Sequence, residues 1–356
     1  MRLFPKDRDL SEPTESIELT VRGSDLRLKN EEVSVRLDTF LGHFIHWRSR
    51  TSIQGLIKDG FVHIDAPTPS APEGTGEYQV ERRPGRRLLH GTRLRIEIPE
   101  PLRVQRSVSA SSDLVVLHED DYLLVVDKPP NLPVHPSGRH LSDTLIQRVH
   151  AQYDQKKERR EFRIKLCHRL DRETSGLVLL ARDPETHANV MRQFEVRDVD
   201  KEYHAIVRGL PDKESGVIDL PLAPDPRSEV RLKMAPAVEG LESRTAWRVL
   251  ERYEDCALVA CKPLTGRQHQ IRVHMEAIGL PLVGDKLYGV DESIFLRYAA
   301  DEQTPEDEEF LGLRRHALHN HYLKVTHPRT GAPLEVRSAI PEDMRQYLNE
   351  RERRDG

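Results

Sequence analysis

The segment Cys167-His168-Arg169-Leu170-Asp171-Arg172-Glu173-Thr174-Ser175-Gly176-Leu177 sets one acid between two guanidinium groups, directly ahead of an apolar run. Flanking cations favour the ionised form of a carboxylate, which suits a nucleophile or base rather than a proton donor. Gly176 and the run from Leu177 to Leu180 place Asp171 on a loop at a sheet end, where side chains are presented to ligands. The same residues also describe an ion-pair turn without chemistry. A second polar cluster, Leu264-Thr265-Gly266-Arg267-Gln268-His269-Gln270-Ile271-Arg272-Val273-His274, supplies further cations and amides. Read as an extended strand, it puts Gln268, Gln270 and Arg272 on one face and Arg267, His269 and Ile271 on the other. Arg272 could then reach a buried carboxylate, while Arg267 and His269 could touch phosphate or sugar.

Other chemistries find less support. The chain has 17 histidines, with a cluster at His316, His319 and His321. His269 and His274 stand five apart, a spacing that suits neither one helix face nor adjacent same-face strand positions, and no HExxH or CxxC accompanies them. No metal is expected. No Gly-rich phosphate loop follows a strand, so no nucleotide or other cofactor is expected. Cys167 and His168 are neighbours that point to opposite sides of an extended chain and make no catalytic dyad. The 3 cysteines lack paired spacing, and no stretch is long and apolar enough for a signal or a membrane span. A reducing cytoplasm is the expected compartment.

Charge bounds the partner. Across 356 residues, 55 Lys+Arg against 59 Asp+Glu give a net charge of −4, which excludes a uniformly basic nucleic-acid binder. The distribution is uneven. Residues 81–106 carry eight Arg against three Glu, and residues 156–172 carry eight basic groups against three acids. Residues 301–309, DEQTPEDEE, hold six acids and no base and read as an exposed loop.

The elements that must position these groups fall into two regions. Residues 1–30 read as an N-terminal extension, with a possible edge strand over 17–21. Leu37, Phe40, Leu41 and Phe44 recur at helical spacing, and a second helix with Ile53, Leu56 and Ile57 on one face ends at Gly60. Strands follow over 61–65 and 94–98, around a Pro/Gly-rich insert. Residues 31–100 thus form a small basic α/β module, and a linker is expected over 101–113. Beyond it strands dominate: 115–117, 123–126, 177–181, 203–207, 246–250, 257–260 and 322–325. The clearest helix is 184–195, with Asp183 as N-cap and Pro184 at its first position. Strands without strict β-α alternation predict an α+β fold of mixed, mostly antiparallel sheet with flanking helices over 114–345, followed by a polar tail at 346–356.

The front module resembles the S4 RNA-binding fold, through RLDTFL (36–41), RSRTSIQGLIKDGFVHI (48–64) and GTRLRI (91–96). The resemblance implies that Arg48, Arg50 and Lys58 face RNA phosphates. The usual Asn-Gly turn is replaced by Asp65-Ala66 and the insert. The larger region resembles the RluA-type family of RNA pseudouridine synthases, through HRLDRETSGLVLLAR (168–182) and GRQHQIRVH (266–274). DDYLLVVDKPPNLPVHP (120–136), KEYHAIVRG (201–209), PLVGDKLYG (281–289) and LHNHYLKVTHPRTGAPL (318–334) agree in order.

The resemblance implies isomerisation of uridine to pseudouridine in structured RNA, with large-subunit ribosomal RNA as the expected substrate and transfer RNA as the alternative. Asp171 matches the essential aspartate, which attacks C1′ or removes the C2′ proton. Arg272 matches its arginine partner, and Tyr203 the tyrosine that stacks on uracil and helps remove the C5 proton. Arg169 matches the residue that fills the helix when the uridine flips out. His168, Arg267 and His269 are the further expected RNA contacts, and a monomer is the default. Gln268 stands where Thr is usual, and Leu241 where Lys is common. Two other functions remain open: a non-catalytic S4-type RNA-binding protein, or a hydrolase that uses Asp171 to release uracil.

Overall fold

The computed structural model describes residues 15–26, 28–44, 50–71, 74–100, 114–136, 142–155 and 164–354. The chain forms two compact units, residues 1–110 with 135–151, and residues 111–134 with 152–356. The expected linker at 101–113 lies outside the described residues.

In the front unit the main elements are β1 (Ser16–Thr20), α1 (Leu37–Phe44), α2 (Arg50–Lys58), β2 (Val62–Asp65), β3 (Gln79–Val80) and β4 (Arg93–Glu97). The strands make an antiparallel sheet in the order β1-β4-β2-β3. Leu37, Phe40 and Leu41 of α1 and Ile53, Leu56 and Ile57 of α2 share one core with Ile64, Leu94 and Ile96, as their spacing predicts. Gly60, at φ +87°, ends α2 in the left-handed conformation that glycine adopts without strain. Where the sequence lacks an Asn-Gly turn, buried Asp65 orders the insert instead. It accepts hydrogen bonds from the Thr75 and Gly76 amides and from Arg93. Strand β1 and the buried Val21 belong to this unit's sheet and core, so the unit begins inside the stretch expected to be an extension.

The second unit contains β5 (Val115–Glu119), β6 (Leu123–Lys128), β7 (Ser175–Ala181), α3 (Pro184–Glu195), β8 (Asp200–Arg208), β9 (Ser215–Asp219), β10 (Arg244–Tyr253), β11 (Cys256–Pro263), α4 (Gln270–Ala277), α5 (Glu292–Ala300), α6 (Pro305–Leu311), β12 (Leu318–Thr326), β13 (Pro333–Arg337) and α7 (Glu342–Asn349). Its long sheet runs β9-β10-β11-β8-β12-β7-β6-β5, with β13 paired to β12. The β7–β12 pair is parallel and the other pairs along this order are antiparallel. The fold is α+β. Strand β7 is buried along its whole length, which explains its unbroken apolar run. Helix α3 starts as expected, with the Asp183 side chain accepting from the Glu185 and Thr186 amides.

Three readings need correction. The segment 266–274 is not an extended strand: Gln270–Ala277 is helical. Gln270 through Met275 are all buried, so the helix lacks the polar face that would have revealed a 3.6-residue period. The acidic stretch 301–309 is a loop only over 301–304; from Pro305 it is helical, as the first turns of α6. Thr304 and Asp307 form a capping box, Pro305 occupies the first turn, and Asp307 is clamped by Arg297 with an Nε–Oδ2 distance of 2.7 Å. Its acids also complement the positive helix end. The tail expected from 346 is structured too. Tyr347 and Leu348 enter a core cluster, and Arg353–Arg354 pairs with Arg252–Tyr253.

Candidate active site

The turn that carries Asp171 is tied down on every side. The Thr174 amide donates to the Asp171 carbonyl (3.2 Å), closing a tight turn. Buried Lys128, at the end of β6, donates from Nζ to the carbonyls of Pro129, Leu132 and Arg172 (2.9, 2.9 and 3.0 Å). Burial pulls its ammonium down to about 7. Fully buried Arg315 reaches the Glu173 carbonyl while its other nitrogens clamp Asp343 (2.6 and 2.9 Å). Glu173 accepts from Lys286 Nζ and from the His316 amide. Gly176 sits at φ +106°, and a Cβ there would overlap the backbone of Asn320 on the neighbouring β12. Only glycine lets the turn enter β7 at this distance.

Arg272, from the first turn of α4, is nearly buried. Its Nε and Nη2 hold Asp285 at 2.6 and 2.8 Å, and Nη1 lies 3.3 Å from Asp171 Oδ2. Asp285 is fully buried and also accepts from the Leu287 and Tyr288 amides. Burial opposes both charges, yet their mutual attraction prevails: the Arg272 pKa rises and the Asp285 pKa falls. Asp285 therefore supplies the counter-charge and leaves one guanidinium edge to orient Asp171. Gly284, at φ +72°, lets the chain pass Arg315 immediately before Asp285.

Tyr203 lies in β8 beside a bulge between Glu202 and itself, a local irregularity of the kind that re-aims side chains near sites. Burial and the nearby Asp171 carboxylate push its hydroxyl above the usual 10. His269 stands in a left-handed conformation just before α4, with Nδ1 2.9 Å from the Tyr288 hydroxyl. Its Nε2 is 3.9 Å from Asp171, beyond hydrogen-bond range. Burial, with help from the Arg272 charge, lowers it to about 4, so the imidazole is neutral at pH 7.

Arg169 is exposed, and its charge is felt at His269. Arg267 donates to the Glu242 carbonyl (3.0 Å). His168 is half-buried: its Nε2 accepts the Leu179 amide (3.0 Å), and its ring packs against Phe194. In the front unit, Arg50 reaches the buried Asp38 at 3.3 Å while its side chain remains 70% exposed. Lys58 is exposed, and Arg48 lies outside the described residues.

His316 and His319 hold the turn. His316 Nε2 pairs with the Thr174 hydroxyl (2.8 Å), and His319 Nδ1 pairs with that of Ser175 (3.0 Å). Burial depresses His168 to about 3, His204, His269 and His319 to about 4, and His316 well below its ordinary value. An unfolded chain protonates these groups near pH 6.5, whereas the folded one keeps them neutral, so the unfolded state binds more protons and stability falls as pH drops from 6.5 towards 4. Each contributes about 1.4 kcal/mol per pH unit well below 6.5. Urea unfolding followed by circular dichroism should show about 4 kcal/mol or more lost between pH 7 and pH 5. Equal stability at the two values would mean that the native protein accepts these protons.

Sequence reading missed Asp285, Lys128, Tyr288 and the histidine anchors. A signal was present for the first two: an acid after Gly284 inside the apolar stretch 281–289, and a lysine closing the strand 123–128 ahead of two prolines.

A mixed sheet whose central strand is entered through a turn bearing one arginine-held aspartate defines a pseudouridine synthase fold. Residues 122–277 match the family model described as RNA pseudouridylate synthase. An uncharacterized RNA pseudouridine synthase of Bacillus subtilis is 33% identical over 325 residues, covering 91% of this chain and 96% of that protein. A ribosomal large subunit pseudouridine synthase D of Nitrosomonas europaea is 32% identical, covering 91% and 86%. Among solved structures, human RNA pseudouridylate synthase domain containing 1 superposes with a TM-score of 0.54 at 25% identity, over 70% of this chain and 92% of that one. The chain belongs to the RluA-type family of RNA pseudouridine synthases and is an isomerase acting on RNA.

Proposed function

We propose that this synthase converts specific uridines of large-subunit ribosomal RNA, in the cytoplasm, with Asp171 as the reacting carboxylate. The observation that carries the reading is the division of labour around Arg272, in which Asp285 neutralises the guanidinium and Asp171 is aimed by its remaining edge. The reaction breaks N1–C1′, turns the uracil, joins C5 to C1′ and moves the C5 proton to N1, so no atom is gained or lost. One carboxylate suffices because no water is activated, unlike the pair needed for glycoside hydrolysis. Asp171 attacks C1′ or removes the C2′ proton; both routes need an ionised carboxylate.

The phenol of Tyr203, held protonated by burial, serves as a stacking platform and proton relay. Arg169 fills the space left by the flipped uridine, whose unstacking costs a few kcal/mol. Arg267 and His269 line the RNA approach, and the front unit supplies an S4-like basic surface with Arg50 and Lys58. The relatives named for the large ribosomal subunit support the choice of RNA. Carbodiimide-stop mapping of a strain lacking the gene should show at least one uridine of large-subunit RNA losing its modification. Loss confined to transfer RNA would overturn the substrate, and an unchanged map would overturn the activity.

A further inference from the structure

Beside the Asp171 turn lies a cleft of about 290 Å³ whose walls include Arg172, Glu173, Lys286, Tyr298, Glu308 and Arg314. Arg172 follows Asp171 in the same turn, and Lys286 follows Asp285, so the cleft lies next to the turn that carries the reacting carboxylate. Its far wall comes from α5 and α6, the latter begun by the acidic segment that the proposed chemistry leaves unused. Such a volume lies at the small end of ligand sites and fits one base rather than a helix.

The hydrogen-bonding state of the lining narrows the occupant. Glu173 is already saturated: both its oxygens receive Lys286 Nζ at 3.0 Å, and one also receives the His316 amide. Lys286 spends a further bond on the Arg314 carbonyl (2.7 Å). Glu308 is different. It faces Arg314 across 4.0 Å, an ion pair too long for a hydrogen bond, with side chains 44% and 87% exposed. Tyr298 contributes a hydroxyl that is buried yet has no hydrogen-bond partner. The cleft therefore offers one carboxylate acceptor with a guanidinium fork beside it, together with the side-chain amides of Asn131 and Gln303, while the unpaired Tyr298 hydroxyl is buried in its wall.

We propose that this cleft reads a guanine base adjoining the target uridine in the substrate RNA; the proposal rests on the synthase reading above. Guanine is the base that presents two adjacent N–H groups on one edge, N1–H and the 2-amino group, which a single carboxylate accepts together. Its O6 and N7 on the other edge accept a guanidinium fork. Adenine and cytosine set a ring-nitrogen acceptor beside their amine, and uracil sets one N–H between two carbonyls, so each turns a lone pair towards Glu308. Glu308 and Arg314 are thus specificity residues, separate from the reacting group.

The test uses the full-length enzyme with total RNA from a strain lacking the gene, to locate a modified uridine, and then transcripts of that stretch with each flanking nucleotide replaced in turn. One guanosine should matter: its replacement by adenosine should lower kcat/KM about tenfold or more, the scale of a charged hydrogen-bond pair. In Glu308→Gln the guanosine and adenosine transcripts should be converted at similar rates, with the adenosine transcript as fast as in wild type, which also shows that the variant is folded. Arg314→Ala should narrow the same preference. Absence of any flanking-guanosine effect, or an undiminished effect in Glu308→Gln, overturns the guanine subsite alone. Failure to convert any uridine overturns the synthase reading and the subsite with it.

Discussion

Asp171→Asn will yield a folded protein that forms pseudouridine at least about 10³-fold more slowly, equivalent to about 4 kcal/mol of barrier. The amide keeps the shape of the carboxylate and can still meet Arg272 Nη1, but it can neither attack C1′ nor take the C2′ proton. Folding survives because Arg272 keeps its bidentate hold on Asp285. Single-turnover conversion of the mapped RNA, alongside urea unfolding of the same variant, measures both halves of the claim. A variant within tenfold of the wild-type rate would remove Asp171 from the chemistry.

Asp285→Asn is expected to behave in the opposite order. It strips the charge from a fully buried partner and leaves Arg272 with Asp171 alone, at the longer 3.3 Å contact. Breaking a buried ion pair from one side costs about 3–5 kcal/mol, because the remaining charge stays desolvated. The urea midpoint should drop accordingly, far more than for Asp171→Asn. Activity should fall as well, since Arg272 is then free to turn its fork onto Asp171. Equal stability of the two variants would show that Asp285 is not the main counter-charge.

The ease with which these parts could be read from sequence follows their physics. The strands around β7 declared themselves because burial on both faces demands an unbroken apolar run, and α3 because Asp183 and Pro184 are local start signals. Asp171 and Arg272 were visible through motif resemblance, whereas their direct contact spans 101 residues and no local pattern encodes it. Helix α4 was misread because burial all round erased its amphipathic period, leaving Ile271 and Val273 to suggest a strand. The bond from the Leu179 amide to His168 was equally illegible, because it joins a motif residue to the sheet backbone 11 residues on. Residues 305–309 looked like a continuation of the 301–304 loop because acids dominate; the Thr304–Asp307 capping box, a local signal, was there to be read.

The position of β12 has a consequence for synthesis of the protein. This strand, made after nine-tenths of the described chain, lies between β7 and β8 in the middle of the sheet rather than at its edge. His316, His319 and Asn320 reach back about 143 residues to hold Thr174, Ser175 and the Leu177 carbonyl. Such distant pairing forms late, after the chain between has been closed into a loop. A nascent chain on the ribosome therefore carries Asp171 long before it carries the strand that completes the centre of the sheet beside it.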